Sequence, residues 1–185
     1  MIAFALLALV QLHASAQTPA PNENAPAPPE QSGDVYGEEV VLAAKTVVFM
    51  SGKATWDNAF PTLIGHFKSI TGFLGSRKLQ AAGAPMTIYT SVNDSGFQYQ
   101  AGVPVAAAPT NLPRGMTAGQ SPAGKAYKFV HRGSYDSMDM LYETIVNFLD
   151  EKKVERQGLF VEEYVTDPTK TPEDQLVINV FVLVK

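Results

Sequence analysis

The chain runs twice through one order of elements: strand, helix, strand, strand. Residues 39–50, "EVVLAAKTVVFM", are apolar and β-branched and predict a strand. The stretch "SGKATWDNAFPTLIGHFKSITGFLG" then changes period. Phe60, Leu63, Ile64 and Phe67 recur at helical spacing, and Pro61 is compatible with a helix that begins near Asn58. "PMTIYTS" and "FQYQAGVPV" read as two strands joined by the turn-rich "VNDSG". The order returns in "AYKFVHR", in the helix "SYDSMDMLYETIVNFLDEKK" with Met138, Leu141, Tyr142, Ile145, Phe148 and Leu149 on one face, and in "LFVEEYVTD" and "QLVINVFVLVK". Counted from Gly52 and Gly133, which are expected to end the two first strands, Phe60 falls on Leu141, Ile64 on Ile145 and Phe67 on Phe148. The reading is an α+β domain of duplicated βαββ units, pseudo-twofold, with antiparallel sheet. "AAAPTNLPRGMTAGQSP" is the loop between the units.

Such a pair of units joins edge to edge or face to face and leaves a shared surface where a ligand cleft is expected. Strand alternation sorts side chains toward it. Met86 and Ile88 are expected on the helix side of their strand, with Thr87 and Tyr89 opposite. Val161 and Val165 are expected on the helix side of theirs, with Phe160, Glu162 and Tyr164 opposite. Glu162 thus falls on an aromatic face. A carboxylate there is poorly solvated and attracts a cation, and aromatic rings add cation–π attraction. Trp56 and Tyr135, near the two helix starts, are expected to frame the mouth. The ligand-binding candidates are therefore Glu162, Tyr164, Tyr89, Phe160, Trp56 and Tyr135. Glu163 is left between two valines, expected either at an open edge or paired with Lys152, Lys153 or Arg156.

Residues 1–16, "MIAFALLALVQLHASA", form an apolar run ending in Ala14-Ser15-Ala16, the pattern of a signal-peptidase site, although no Lys or Arg precedes the run. Residues 17–34 are rich in Pro, Ala and Asn and read as an extended linker. The folded domain is expected over 35–185, periplasmic or secreted, with no integral membrane segment after signal cleavage. Lys and Arg number 14 against 18 Asp and Glu, with no basic stripe and no zinc spacing, so nucleic acid is not an expected partner. The chain has no cysteine. His131, at a strand end, has no second histidine at ligand spacing, and no Gly-rich phosphate loop or Ser-His-Asp arrangement is present. No metal and no cofactor are expected.

"SPAGKAYKFVHRGSYDSMDMLYETIVNFL", "VEEYVTDP" and "GVPV" resemble, in that ordered set, the GyrI-like or effector-binding domain family. This is the small-molecule module of many bacterial multidrug-responsive transcription activators, also found alone. The resemblance implies two βαββ units around a central cleft that accepts bulky, often aromatic and cationic compounds. An acid on the Glu-x-Tyr strand is commonly the buried anchor; by position it is Glu162, with Tyr164 beside it. With only the expected leader and linker of residues 1–34 before it, the module is expected to stand without the activators' DNA-binding domain. Some stand-alone members resemble hydrolases of strained electrophilic natural products, so a hydrolase using the same cleft is the alternative to a binder. A third reading is an envelope protein-interaction module, its protein partner unknown.

Overall fold

A computed structural model describes residues 36–185. The signal peptide and linker expected over 1–34 lie outside the described residues. The described chain forms β1 (Glu38–Leu42), β2 (Thr46–Ala54), α1 (Ala59–Ser76), β3 (Met86–Asn93), β4 (Gly96–Pro104), β5 (Met116–Gln120), β6 (Gly124–Arg132), α2 (Met138–Glu151), β7 (Arg156–Tyr164) and β8 (Val177–Val184). A 3-10 turn leads into each helix, Trp56–Asn58 before α1 and Tyr135–Ser137 before α2. Pro61 occupies the third position of α1, where its missing N–H costs no helical hydrogen bond.

The eight strands make one antiparallel sheet in the order β1-β6-β8-β7-β3-β4-β2-β5. Exchanging β1–β4 with β5–β8 reverses this order. The two βαββ runs therefore meet edge to edge at the β3–β7 seam, where Thr87 lies opposite Glu162 and Tyr89 opposite Phe160.

Residues 39–50 are not one strand, contrary to the sequence reading. Ala43, Ala44 and Lys45 break the run, so β1 pairs with β6 at one end of the sheet and β2 with β4 and β5 near the other. Alanine and lysine are poor strand formers, but two β-branched runs on either side masked the break. β5 falls inside the stretch read as a connecting loop. "MTAGQ" has little strand character of its own and is extended because β2 offers it a ladder, Thr46 opposite Gln120 through Met50 opposite Met116. Gly133 follows β6 with φ +116, as a strand-ending glycine should. Gly52 does not end β2. It sits within it, where a Cβ would lie 2.6 Å from the Tyr99 hydroxyl oxygen.

Both faces of the sheet are buried. The helices cover one of them: Leu63, Phe67, Ile70 and Leu74 of α1 and Ile145 and Leu149 of α2 share a core with Tyr99, Phe129, Tyr164, Val180 and Val182. The other face carries a second cluster of Val47, Phe49, Met86, Ile88, Ala126, Val161, Phe181 and Leu183, with no helical residue in it. This inverts the expected sides. Met86, Ile88 and Val161 point away from the helices, and Tyr89, Phe160, Glu162 and Tyr164 point toward them. Alternation separates two faces without saying which one a helix covers, and where both are apolar the hydrophobic pattern cannot decide. Val165 lies beyond β7 and is exposed. Glu163, on the helix-free face, pairs with Lys45 at 2.5 Å rather than with Lys152, Lys153 or Arg156. Arg156 pairs with Asp150 instead.

Leu63 is fully buried and Leu79 is 40% exposed. Leu63→Ala is expected to lower the unfolding free energy by about 2–5 kcal/mol. Leu79→Ala is expected to change it by no more than about 0.5 kcal/mol, both read from urea denaturation.

Candidate functional site

The β3–β7 seam places Thr87, Tyr89, Phe160 and Glu162 side by side beneath the starts of both helices. Their neighbours above come from the turns into the helices. Trp56 is held by its indole N–H, which donates to the Asn93 carbonyl at 3.1 Å, and it packs against Phe97 with ring centroids 5.0 Å apart. The Tyr135 turn is fixed at its base. The buried His131 donates from Nε2 to the Ser134 carbonyl at 2.9 Å, Ser137 Oγ donates to the same oxygen at 2.8 Å, and Ser134 Oγ accepts from the Asp136 amide. Phe60 of α1 stacks on Tyr135 at 5.0 Å, tying the two helix starts together.

Between them lies a cavity of about 700 Å³ lined by Trp56, Asp57, Ala59, Tyr89, Val92, Tyr135, Asp136, Met138, Asp139, Tyr142 and Phe160. Trp56, Tyr89, Tyr135 and Phe160, four of the six residues singled out from the sequence, stand on its wall. Glu162 and Tyr164 do not. Both are wholly buried, directly behind the wall. Tyr142 Oη donates to Glu162 Oε1 at 2.8 Å, Tyr164 Oη to Oε2 at 2.7 Å and Tyr135 Oη to Oε2 at 3.5 Å. The Tyr89 and Tyr135 hydroxyls are 2.8 Å apart, and Thr87 Oγ1 lies 3.5 Å from the Tyr164 hydroxyl. One carboxylate thus gathers the hydroxyls of β3, β7 and the start of α2 into a single cluster.

The electrostatics follow from burial. Desolvation pushes the Glu162 carboxyl above its usual value, and the hydroxyls of Tyr164, Tyr142, Tyr89 and Tyr135 oppose that rise. Desolvation, then the Glu162 charge, holds the phenols of Tyr89, Tyr135, Tyr142 and Tyr164 well above 10.0. Among the described residues, no three His, Cys, Asp or Glu side chains converge as a metal site would need, and no helix is long and apolar enough to cross a membrane.

Sequence reasoning missed Tyr142 and the acids of the rim. Tyr142 reads as one more member of the apolar stripe of α2, and only the seam beneath it gives its hydroxyl a partner. The acids had a signal. Trp56-Asp57 and Tyr135-Asp136 repeat an aromatic–Asp pair at the two helix starts.

A raised folded-state pKa contributes stability below the unfolded value and loses it as pH climbs through the folded one. For the four tyrosines that window lies above pH 10. Tyrosinate absorbance is therefore expected to develop late and together with unfolding, and Glu162→Gln, by removing the charge, is expected to bring it to lower pH. For Glu162 the window starts at the ordinary glutamate range. The stability of the native chain relative to Glu162→Gln is expected to be greatest in acid and to shrink as pH rises toward neutral, measured by denaturant titration at each pH.

The family described as the GyrI-like small molecule binding domain matches residues 38–185. No curated protein matches the chain. Among solved structures, the EcmrR C-terminal domain is similar with a TM-score of 0.67 at 14% identity, over 80% of this chain and 96% of that one. EcmrR in its DNA complex gives 0.69 at 14% identity and 80% coverage, and this chain spans only 57% of it. SAV2435 bound to tetraphenylphosphonium gives 0.56 at 14% identity, over 80% and 93%. A hydrolase from Listeria innocua gives 0.55 at 9% identity, over 81% and 92%. At these identities the likenesses establish the fold, and together with the match over 38–185 they identify the chain as a member of the GyrI-like small-molecule-binding domain family.

Proposed function

We propose that the domain binds amphipathic, aromatic cations in the cavity between its two helix starts, with Glu162 as the buried counter-charge. The observation that carries this reading is a fully buried carboxylate set directly behind an aromatic wall. A buried charge costs several kcal/mol unless its surroundings compensate, so a fold selected for stability alone has no use for one at its central seam. Here phenol hydroxyls rather than a bulky cation stand next to it, and the field of the charge reaches the cavity through one layer of tyrosines. A cation resting on Trp56, Tyr89, Tyr135 and Phe160 would gain about 0.5–2 kcal/mol from each well-placed ring. It would also gain from a carboxylate screened by little water. Tyr164 serves this reading from behind the wall by holding Glu162. The tetraphenylphosphonium complex of SAV2435 supports the ligand class by analogy of fold.

The chain carries one tryptophan, and it stands on the cavity wall. Titration with tetraphenylphosphonium is expected to quench Trp56 fluorescence saturably. Glu162→Gln is expected to weaken binding about tenfold or more, on the order of 1.4 kcal/mol. Equal affinity in the two proteins would remove Glu162 from the function.

One arrangement favours a second reading, a hydrolase of strained electrophilic small molecules. Tyr89, Tyr135 and Glu162 form a hydrogen-bonded chain from the wall to the carboxylate, 2.8 Å and then 3.5 Å long. A phenol so connected can pass a proton between a reacting group and Glu162. A structural neighbour carries the name hydrolase, at 9% identity. If this reading holds, a cyclopropane-containing electrophile is opened by the native protein and not by Tyr135→Phe or Glu162→Gln. A cation that binds without any ligand being transformed leaves the binder.

A further inference from the structure

We infer that the cavity prefers cations bearing N–H donors, such as protonated primary or secondary amines and amidines, over cations that have none. This rests on the cation-binding reading above and narrows it to a chemical class. Each phenol has one proton to give. That of Tyr142 goes to Glu162, because a carboxylate only accepts. The 2.8 Å contact between the Tyr89 and Tyr135 hydroxyls uses one of their two protons, whichever phenol donates, and Glu162, which only accepts, draws the other. All three phenols on the wall therefore spend their protons away from the cavity and keep only lone pairs for a ligand. The Trp56 N–H, the remaining side-chain donor of the wall, is spent on the Asn93 carbonyl. The other polar side chains of the wall are Asp57, Asp136 and Asp139, which accept when ionised. Every polar side chain lining this cavity is thus an acceptor.

The consequence is a sign. An ammonium with N–H groups is better hydrated than a quaternary cation of the same tail and loses more on leaving water. It comes out ahead only where the site returns its hydrogen bonds, and charge-assisted bonds to phenol and carboxylate oxygens do so. A donor-free cation has the ring faces and the field of Glu162 but leaves the lone pairs unused.

The test compares two probes with one tail, dodecylammonium and dodecyltrimethylammonium, at neutral pH and below their micelle concentrations, by quenching of Trp56 fluorescence in the full chain. The amine is expected to bind about tenfold more tightly, the equivalent of one additional charge-assisted hydrogen bond. Tyr89→Phe keeps the ring and removes one acceptor, and is expected to weaken the amine by a larger factor than the trimethyl probe. Should that variant fail to fold, the comparison in the native protein decides alone. Equal binding of the two probes, or tighter binding of the quaternary one, overturns the preference and leaves the cation-binding reading standing. Failure of both probes and of tetraphenylphosphonium to bind overturns both.

Discussion

A carboxylate that water cannot reach organises this domain. Glu162 sits at the middle of the sheet, between Thr87 on one neighbouring strand and Val180 on the other. Its oxygens are satisfied by phenols delivered from β7 itself, from the turn into α2 and from α2, by Tyr164, Tyr135 and Tyr142. Each of those phenols is worth more as a cluster member than alone, because removing one leaves a buried charge partly unmet. The position of α2 over the seam is consequently fixed by polar contacts as well as by the packing of Ile145 and Leu149.

The seam also explains why the site lies where it does. The strand order brings β3 and β7 together as the innermost pair, so the turns that precede α1 and α2 converge over the same four residues. Aromatic residues from both turns meet there: Phe60 stacks on Tyr135, and Trp56 reaches across to Phe97 and Asn93. The cavity is what remains between two helix starts that approach each other without filling the space with large aliphatic side chains. Its walls are rigid rings, its rim carries three aspartates, and its charge is stored out of contact behind the tyrosines.

Much of this was legible in the residues. The helices, five of the eight strands and the clustering of Trp56, Tyr89, Tyr135 and Phe160 follow from period and from the repeated order. The parts that were not legible share a cause, which is dependence on a partner distant in sequence. β5 is extended only because β2 lies beside it. β1 parts from β2 because each has a different neighbour, and Glu163 finds Lys45 from a separate strand. The inversion of the sheet faces has the same origin. Alternation told that Phe160, Glu162 and Tyr164 share a side, but only packing tells which side the helices take. Tyr142 was legible as a core residue and illegible as a hydrogen-bond donor, since nothing local distinguishes the two.

The placement of β1 and β5 has a consequence for how the domain comes into being. β1 completes the edge beside β6, so Glu38 waits for Lys128, about ninety residues further along the chain, and β2 waits for β5 over a comparable distance. Neither βαββ run can acquire its flanking strand from its own residues. On an emerging nascent chain the first run therefore keeps its β2 edge open until β5 has been synthesised and its β3 edge open until β7 has. Such long-range pairing sets a high contact order and predisposes the protein to slow, all-or-none folding.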